Sequence, residues 1–122
     1  KKWINFDKYP ADKLSWPFKK GDRIIDKQVL SERYDKGWAE YAKDGGKIHA
    51  GEFGAYCKLP HKIALAYLSD QLSIYKERGW GWALWNLKGT FGVFDSKRKD
   101  VVYENYKGMK LDREMMELLL RS

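Results

Sequence analysis

Apolar positions change period several times along this chain, and each change marks an element. Leu30, Tyr34, Trp38 and Tyr41 recur at spacings of four, four and three, the repeat of a single helix face. Asp26 is placed to cap that helix, which runs over residues 27–43, and Gly45-Gly46 ends it. Residues 48–53 form a short, largely apolar run that predicts a strand, of the kind a parallel sheet covers on both faces. Pro60 opens a second helix at its first turn, where a missing N–H costs nothing. Its buried stripe is predicted to be Ala64, Tyr67, Leu68, Leu72 and Tyr75. Lys76 and Arg78 suit the negative end of its dipole, and Gly79 stops it. Residues 80–87 predict a second strand. A glycine-punctuated excursion follows over residues 88–110, with an extended piece at 101–106. A last helix starts near Asp112 and is expected to bury Met115, Met116, Leu119 and Leu120. Residues 1–25 follow neither period. Pro10, Pro17 and Gly21 break them, which predicts a loop carrying Trp3, Phe6, Tyr9, Trp16 and Phe18.

The expected order is therefore a loop region over 1–25, then helix, strand, helix, strand and helix over 26–122. This is an α/β pattern with connections that permit right-handed crossovers. Two parallel strands cannot form a sheet core alone, because each needs neighbours and covering layers. The chain of 122 residues thus reads as one partial domain, expected to be completed by association with other chains.

Composition narrows the function. The chain is 43% hydrophobic and 34% charged, as a folded globular chain is, and disordered chains are not. No apolar run approaches the ~20 residues of a membrane span, and Lys1-Lys2-Trp3-Ile4-Asn5 lacks the apolar core of a signal peptide. One cysteine, Cys57, leaves no intrachain disulfide, and two histidines, His49 and His61, stand too far apart to suggest zinc. No metal or organic cofactor is expected. The basic residues behind the net charge of +7 are spread out, at Lys1-Lys2, Lys19-Lys20, Lys97-Arg98-Lys99 and singly on every helix. They lack the basic stripe and recognisable module of a nucleic-acid binder, so neither nucleic acid nor membrane is expected as a partner.

Aromatics are the outlier at 16%, with six Trp and eight Tyr. Strand alternation sorts the chemistry-bearing side chains. Ile48, Ala50 and Glu52 share one face of the first strand, while His49, Gly51 and Phe53 share the other. On the second strand Gly81, Ala83 and Trp85 oppose Trp80, Trp82, Leu84 and Asn86. The bulky set suits a helix-covered face and the small set a crowded interior. Glu52 and Trp85 are then expected to point the same way from the C-terminal strand ends, where barrel active sites form. On pattern alone, a glutamate satisfied by a salt bridge and a tryptophan buried in a core explain the two residues more readily. His49 is expected to point away from any cleft, and His61, at a helix start, to lie on the surface.

Four runs carry a family resemblance: Gly21-Asp22-Arg23-Ile24-Ile25-Asp26-Lys27, His49-Ala50-Gly51-Glu52-Phe53-Gly54, Trp82-Ala83-Leu84-Trp85-Asn86 and Phe91-Gly92-Val93-Phe94-Asp95-Ser96. With the closing Lys110-Leu111-Asp112-Arg113, they resemble the C-terminal portion of a family 5 glycoside hydrolase, the cellulase family. The resemblance implies the last two strands and about three helices of a (β/α)8 barrel. It also implies a retaining β-glycanase, with Glu52 matching the nucleophile and Trp85 the aromatic that floors the subsite of the cleaved sugar. Asn86 and Lys88 on the same rim, and Trp16 in the leading loop, are further candidates for substrate contact. The family's acid/base glutamate has no counterpart here, and Cys57 stands where many relatives carry asparagine.

Retaining hydrolysis needs two carboxyls about 5 Å apart. The remaining acids weighed, Asp95, Glu104, Glu40 and Glu77, are not placed opposite Glu52 by any pattern. The expected function is therefore part of an endoglucanase-like enzyme acting on β-glucan polysaccharide or oligosaccharide, inactive as an isolated chain. An inactive, self-associating half-barrel piece or a carbohydrate-binding module is the alternative. Expected partners are the glycan and either further copies or a complementing N-terminal barrel segment. The expected location is extracellular, as for relatives that attack polysaccharide.

Overall fold

The computed structural model describes residues 13–122. The expected loop aromatics Trp3, Phe6 and Tyr9 lie outside them. In chain order the elements are β1 (Phe18–Lys20), β2 (Arg23–Ile25), α1 (Lys27–Lys43), β3 (His49–Phe53), α2 (His61–Arg78), β4 (Gly81–Leu84), β5 (Glu104–Tyr106), β6 (Met109–Leu111) and α3 (Arg113–Leu120). β3 and β4 pair in parallel, whereas β1–β2 and β5–β6 are antiparallel hairpins. The first hairpin corrects the expected loop over 1–25. Its three-residue strands are too short to display a period of two, and Gly21 takes the positive φ of 61° that its turn requires. The extended piece expected at 101–106 is a strand over its last three residues, as β5, and pairs with β6 in the second hairpin. β4 is shorter than the expected 80–87.

The core forms where α2 lies over β3–β4, with α1 and α3 both packed on α2. Leu68, Leu72 and Ile74 of α2 are buried, together with Met115 of α3 and Val93 of the long loop. Each such side chain contributes about 1.5–3 kcal/mol by leaving water. Phe53 at the end of β3 meets Trp82 and Tyr75 edge-on, at 5.3 and 5.7 Å between ring centres. Asp26 caps α1 by accepting from the Val29 amide at 3.0 Å. Gly79 ends α2 at φ 65°, its amide donating to the Lys76 carbonyl.

Several expected faces are redrawn. Tyr34 packs against the core, but Trp38 and Tyr41 farther along α1 are 53% and 69% exposed. The helix outruns a sheet of two strands, and nothing among the described residues covers its end. Leu120, expected in the core, is 76% exposed as the last residue of α3. The register of β3 against β4 also breaks alternation. Ala50 faces Trp82 and Phe53 faces Leu84, so three steps on β3 match two on β4. Ala50 and Phe53 consequently both pack on the core, although alternation separates them, and Glu52 is left exposed.

His61 is buried rather than on the surface. Its Nε2 lies 2.8 Å from Asp112 Oδ2, and its backbone N–H donates to Asp100 at 2.6 Å. Arg98, also buried, donates to the carbonyls of Leu59 and Ala55 at 2.6 and 2.8 Å. It thereby ties the long loop to the segment that follows β3. Burial pulls its pKa below the usual guanidinium value, against the opposing charges of Asp112 and Asp100.

Gly92 gives a test of this loop. A Cβ there would overlap the Leu87 carbonyl oxygen and lie 2.8 Å from that of Asn86, both rigid backbone atoms. Gly92→Ala is expected to destabilise the fold by about 1–3 kcal/mol, seen as a lowered urea midpoint at unchanged slope.

Candidate active-site cavity

β3 and β4 end side by side, and a backbone bond fixes how. The Trp85 amide donates to the Phe53 carbonyl at 2.8 Å, which holds residue 85 beside the strand end that carries Glu52. Both side chains line one cavity of about 660 Å³, a volume in the range of small-ligand clefts. Glu52 is exposed and the Trp85 indole is 51% exposed, so both can meet a solute.

The cavity extends along the full length of β3, from Ile48 to Gly54. Its helical wall comes from Tyr34 and Trp38 of α1 and from Tyr67, Gln71 and Tyr75 of α2, and Phe91 adds a further ring. Gln71 Nε2 donates to Tyr34 Oη at 2.9 Å, and the Tyr34 and Tyr75 hydroxyls are 3.2 Å apart. Burial, then the hydrogen bond with Tyr34, pushes the Tyr75 hydroxyl well above the ordinary phenol range, and burial raises Tyr67 as well. Tyr67 and Tyr75 therefore stay neutral. Glu52 is the one acidic side chain lining the cavity among the described residues.

The remaining sequence candidates are placed elsewhere. Lys88 Nζ lies 3.2 Å from Asp95 Oδ2. The Lys110 amide, and then Lys88, hold the Asp95 carboxyl below the usual carboxylate range. Asn86 turns its Oδ1 into a buried position without a donor among the described residues. Trp16 packs on α2 instead of the cavity: its indole N–H donates to Asp70 at 2.8 Å and its ring meets Tyr67 edge-on at 4.9 Å. His49, expected to point away, does line the cavity. Glu77 pairs with Lys27 and Glu104 with Arg113, each at 2.6 Å. Neither these acids, nor Asp95 or Glu40, reach the cavity. Sequence reasoning missed Tyr34, Tyr67 and Gln71 as lining residues, since a residue facing a core and one facing a cleft share the same helical period. Among the described residues no cluster of three or more His, Cys, Asp or Glu could hold a metal, and no helix is long and apolar enough to cross a membrane.

A solved structure described as a glycoside hydrolase superposes on 98% of this chain with a TM-score of 0.82 and 36% sequence identity. The resemblance to glycoside hydrolases holds in three dimensions. Endoglucanase Cel5A from the hyperthermophilic Thermotoga maritima matches 85% of the chain at 27% identity and a TM-score of 0.62. The same enzyme solved with a mannotriose substrate matches 85% at 25% identity and a TM-score of 0.62. The chain spans only about a third of these structures, 36% of the first and 30% of the others. No family model matches the sequence, and no curated protein is significantly similar to it. The glycoside-hydrolase-like part of the chain is thus an α/β unit that corresponds to part of a larger hydrolase fold.

Proposed function

We propose that this chain supplies the nucleophile and the sugar platform of a retaining β-1,4-glycanase, as the C-terminal segment of a (β/α)8 barrel. The observation that carries the reading is the shared cavity of Glu52 and Trp85 at the C-terminal ends of two hydrogen-bonded parallel strands. That end of the strands is where barrel enzymes assemble their sites. The Trp85 ring offers an apolar face to the C–H face of a pyranose. Glu52, next to it, attacks the anomeric carbon. The bond to the leaving oxygen breaks as that oxygen takes a proton, and a covalent glycosyl-Glu52 ester forms. Water, deprotonated as it attacks, then releases the sugar with its configuration retained.

Each half of that sequence needs a second carboxyl, about 5 Å from the first, that gives a proton and then takes one back. Among the described residues the cavity offers no second acid, so the second carboxyl comes from outside them. The substrate class is a β-glycan, in keeping with relatives named endoglucanase and with one solved in complex with mannotriose. An extracellular location agrees with action on such a polymer.

The isolated chain is therefore expected to show no measurable turnover of a soluble cellulose analogue. Turnover that disappears in Glu52→Gln would show instead that a proton donor lies within the 122 residues. The assignment of Glu52 is tested with a 2-deoxy-2-fluoro glycoside bearing a dinitrophenolate, a leaving group that departs without acid assistance. Applied to the chain joined with the rest of a barrel, it is expected to leave one fluoroglycosyl group on Glu52, located by peptide mass spectrometry. A label on another residue, or none on a well-formed barrel, would end this reading.

A further inference from the structure

We propose that Arg98 is the positioning residue for the nucleophile: from the loop that follows β4 it holds the backbone just beyond Glu52, and so sets where that carboxylate stands against a sugar on Trp85. The role rests on the glycanase reading above and concerns the same site.

Glu52 lies where β3 is least fixed by β4. The register shifts between Ala50 and Phe53, so the ladder does not pair residue 52 one to one. Such a bulge aims a side chain only when its flanks are held. The downstream flank is the turn Tyr56–Leu59, closed by the Leu59 amide donating to the Tyr56 carbonyl at 2.9 Å. Arg98 brackets this turn. Its guanidinium donates to the Ala55 carbonyl before the turn at 2.8 Å and to the Leu59 carbonyl at its end at 2.6 Å. Ala55 is itself buried. Phe91, from the same loop as Arg98, adds a second grip. Its ring lies 5.4 Å from that of Tyr56, and a Cβ on Gly54 would come within 3.2 Å of it.

Arg98 is a costly group to place there. It is 4% exposed, and its Nε has no acceptor among the described residues. Carbonyls take its other bonds, so the charge is desolvated without a bonded carboxylate among those residues. The backbone that delivers it is strained as well. Asp95 and Lys97, on either side of Ser96, take φ of 50° and 63°, a region that residues other than glycine rarely adopt. The Tyr103 hydroxyl secures this segment. It lies 2.8 Å from Ser96 Oγ, accepts from the Arg98 amide at 2.7 Å and donates to the Arg98 carbonyl at 3.2 Å. A strained backbone and a buried charge together mark a segment that holds a reacting group rigidly.

The test uses a single polypeptide in which this chain replaces the matched segment of the 36%-identical glycoside hydrolase, assayed well below its melting temperature. Arg98→Lys keeps the charge but cannot reach both carbonyls. Its kcat is expected to fall about 100-fold, the effect of misplacing a reacting group by about 1 Å, with KM unchanged within about threefold. The loss should be as large on a dinitrophenyl glycoside as on an aryl cellobioside, because attack by Glu52 suffers and protonation of the leaving oxygen does not. Tyr103→Phe keeps the Arg98 side chain but frees its backbone, and is expected to lose about tenfold in kcat in the same sense. Should Arg98→Lys not fold, Tyr103→Phe decides. Methylguanidinium added to Arg98→Ala should restore part of the rate. A lowered melt with kcat unchanged would overturn the proposal, since a purely stabilising role predicts that result. So would a loss confined to the aryl cellobioside. An unsubstituted chimera that folds but cleaves neither glycoside would remove the glycanase reading. Amide exchange in the 122-residue chain then decides whether Arg98 holds the backbone beyond Glu52. Arg98→Lys is expected to speed exchange at Leu59 and Trp85 about tenfold while the α2 amides keep their protection, and unchanged exchange at those two positions would overturn the role.

Discussion

Glu52→Gln is expected to reduce hydrolysis by the completed barrel on the order of 10^4-fold or more, the scale of nucleophile loss in enzymes whose catalytic groups act as a unit. The amide fills the same volume at the end of β3 but cannot form a glycosyl ester. Folding should be unaffected, because Glu52 is exposed and outside the core. Binding of cello-oligosaccharide should survive, because Trp85 keeps its place through the bond to the Phe53 carbonyl. The measurement is steady-state cleavage of an aryl cellobioside alongside calorimetric binding. A second variant separates nucleophile from bystander. Glu52→Ala opens space for an added azide ion, which attacks the anomeric carbon from the face the carboxylate used. The product should be a glycosyl azide of inverted configuration. Near-normal hydrolysis by Glu52→Gln, or a missing azide adduct from an active-site-competent Glu52→Ala barrel, would refute the assignment.

Asp112→Ala is expected to destabilise the chain by about 2–4 kcal/mol, from a buried imidazole left without its hydrogen-bond partner at about 1–3 kcal/mol and a lost helix cap at about 1 kcal/mol. Asp112 is fully buried and holds two elements at once. Its Oδ2 lies 2.8 Å from His61 Nε2 at the start of α2, and its Oδ1 accepts the Met115 amide at 3.1 Å as the N-cap of α3. Its own backbone N–H donates to Val93 at 2.8 Å. Alanine would leave the imidazole and a first-turn amide without their acceptor, in a region that also contains buried Arg98. The melting temperature should fall by roughly 10 °C or more for a chain of this size. Asp112→Asn retains an acceptor for the cap, so the loss is expected to be smaller by about 1 kcal/mol, the worth of a capping side chain. Equal melting of wild type and Asp112→Ala, by circular dichroism, would show that the pair is not a structural link. This prediction concerns the fold alone and is independent of the glycanase reading.

Local rules made a good part of this fold legible. Asp26, Pro60, Gly79 and Asp112 punctuate helices at the observed positions to within a residue, because capping and φ restrictions act over a single turn. The core face of α2 was visible in Ala64, Leu68, Leu72 and Tyr75, though Gln71 and Ile74 were not anticipated. The hairpin at 18–25 and the return strand of the one at 104–111 leave no mark in the sequence, since strands of three residues carry no period. Trp38 and Tyr41 follow a helical stripe, yet a stripe records only which residues share a side, not whether another layer covers them. His61 looked like an ordinary helix-start residue because its partner Asp112 lies fifty-one positions away.

The amino-acid order by itself determined the helices, their stops, and the two strand segments that end in Glu52 and Trp85. It also carried the likeness to cellulases, through runs whose order a chance match would not reproduce. Only the tertiary structure decided that β3 and β4 pair in parallel with a shift after Ala50, that this pairing brings Glu52 and Trp85 to one cavity, and that Trp16 and Lys88 are engaged elsewhere. The physical reason is range: a cap, a proline or a helical repeat is settled by neighbours within a few residues. A strand's register and a side chain's partner depend on groups tens of residues away, whose positions are fixed only when the core closes.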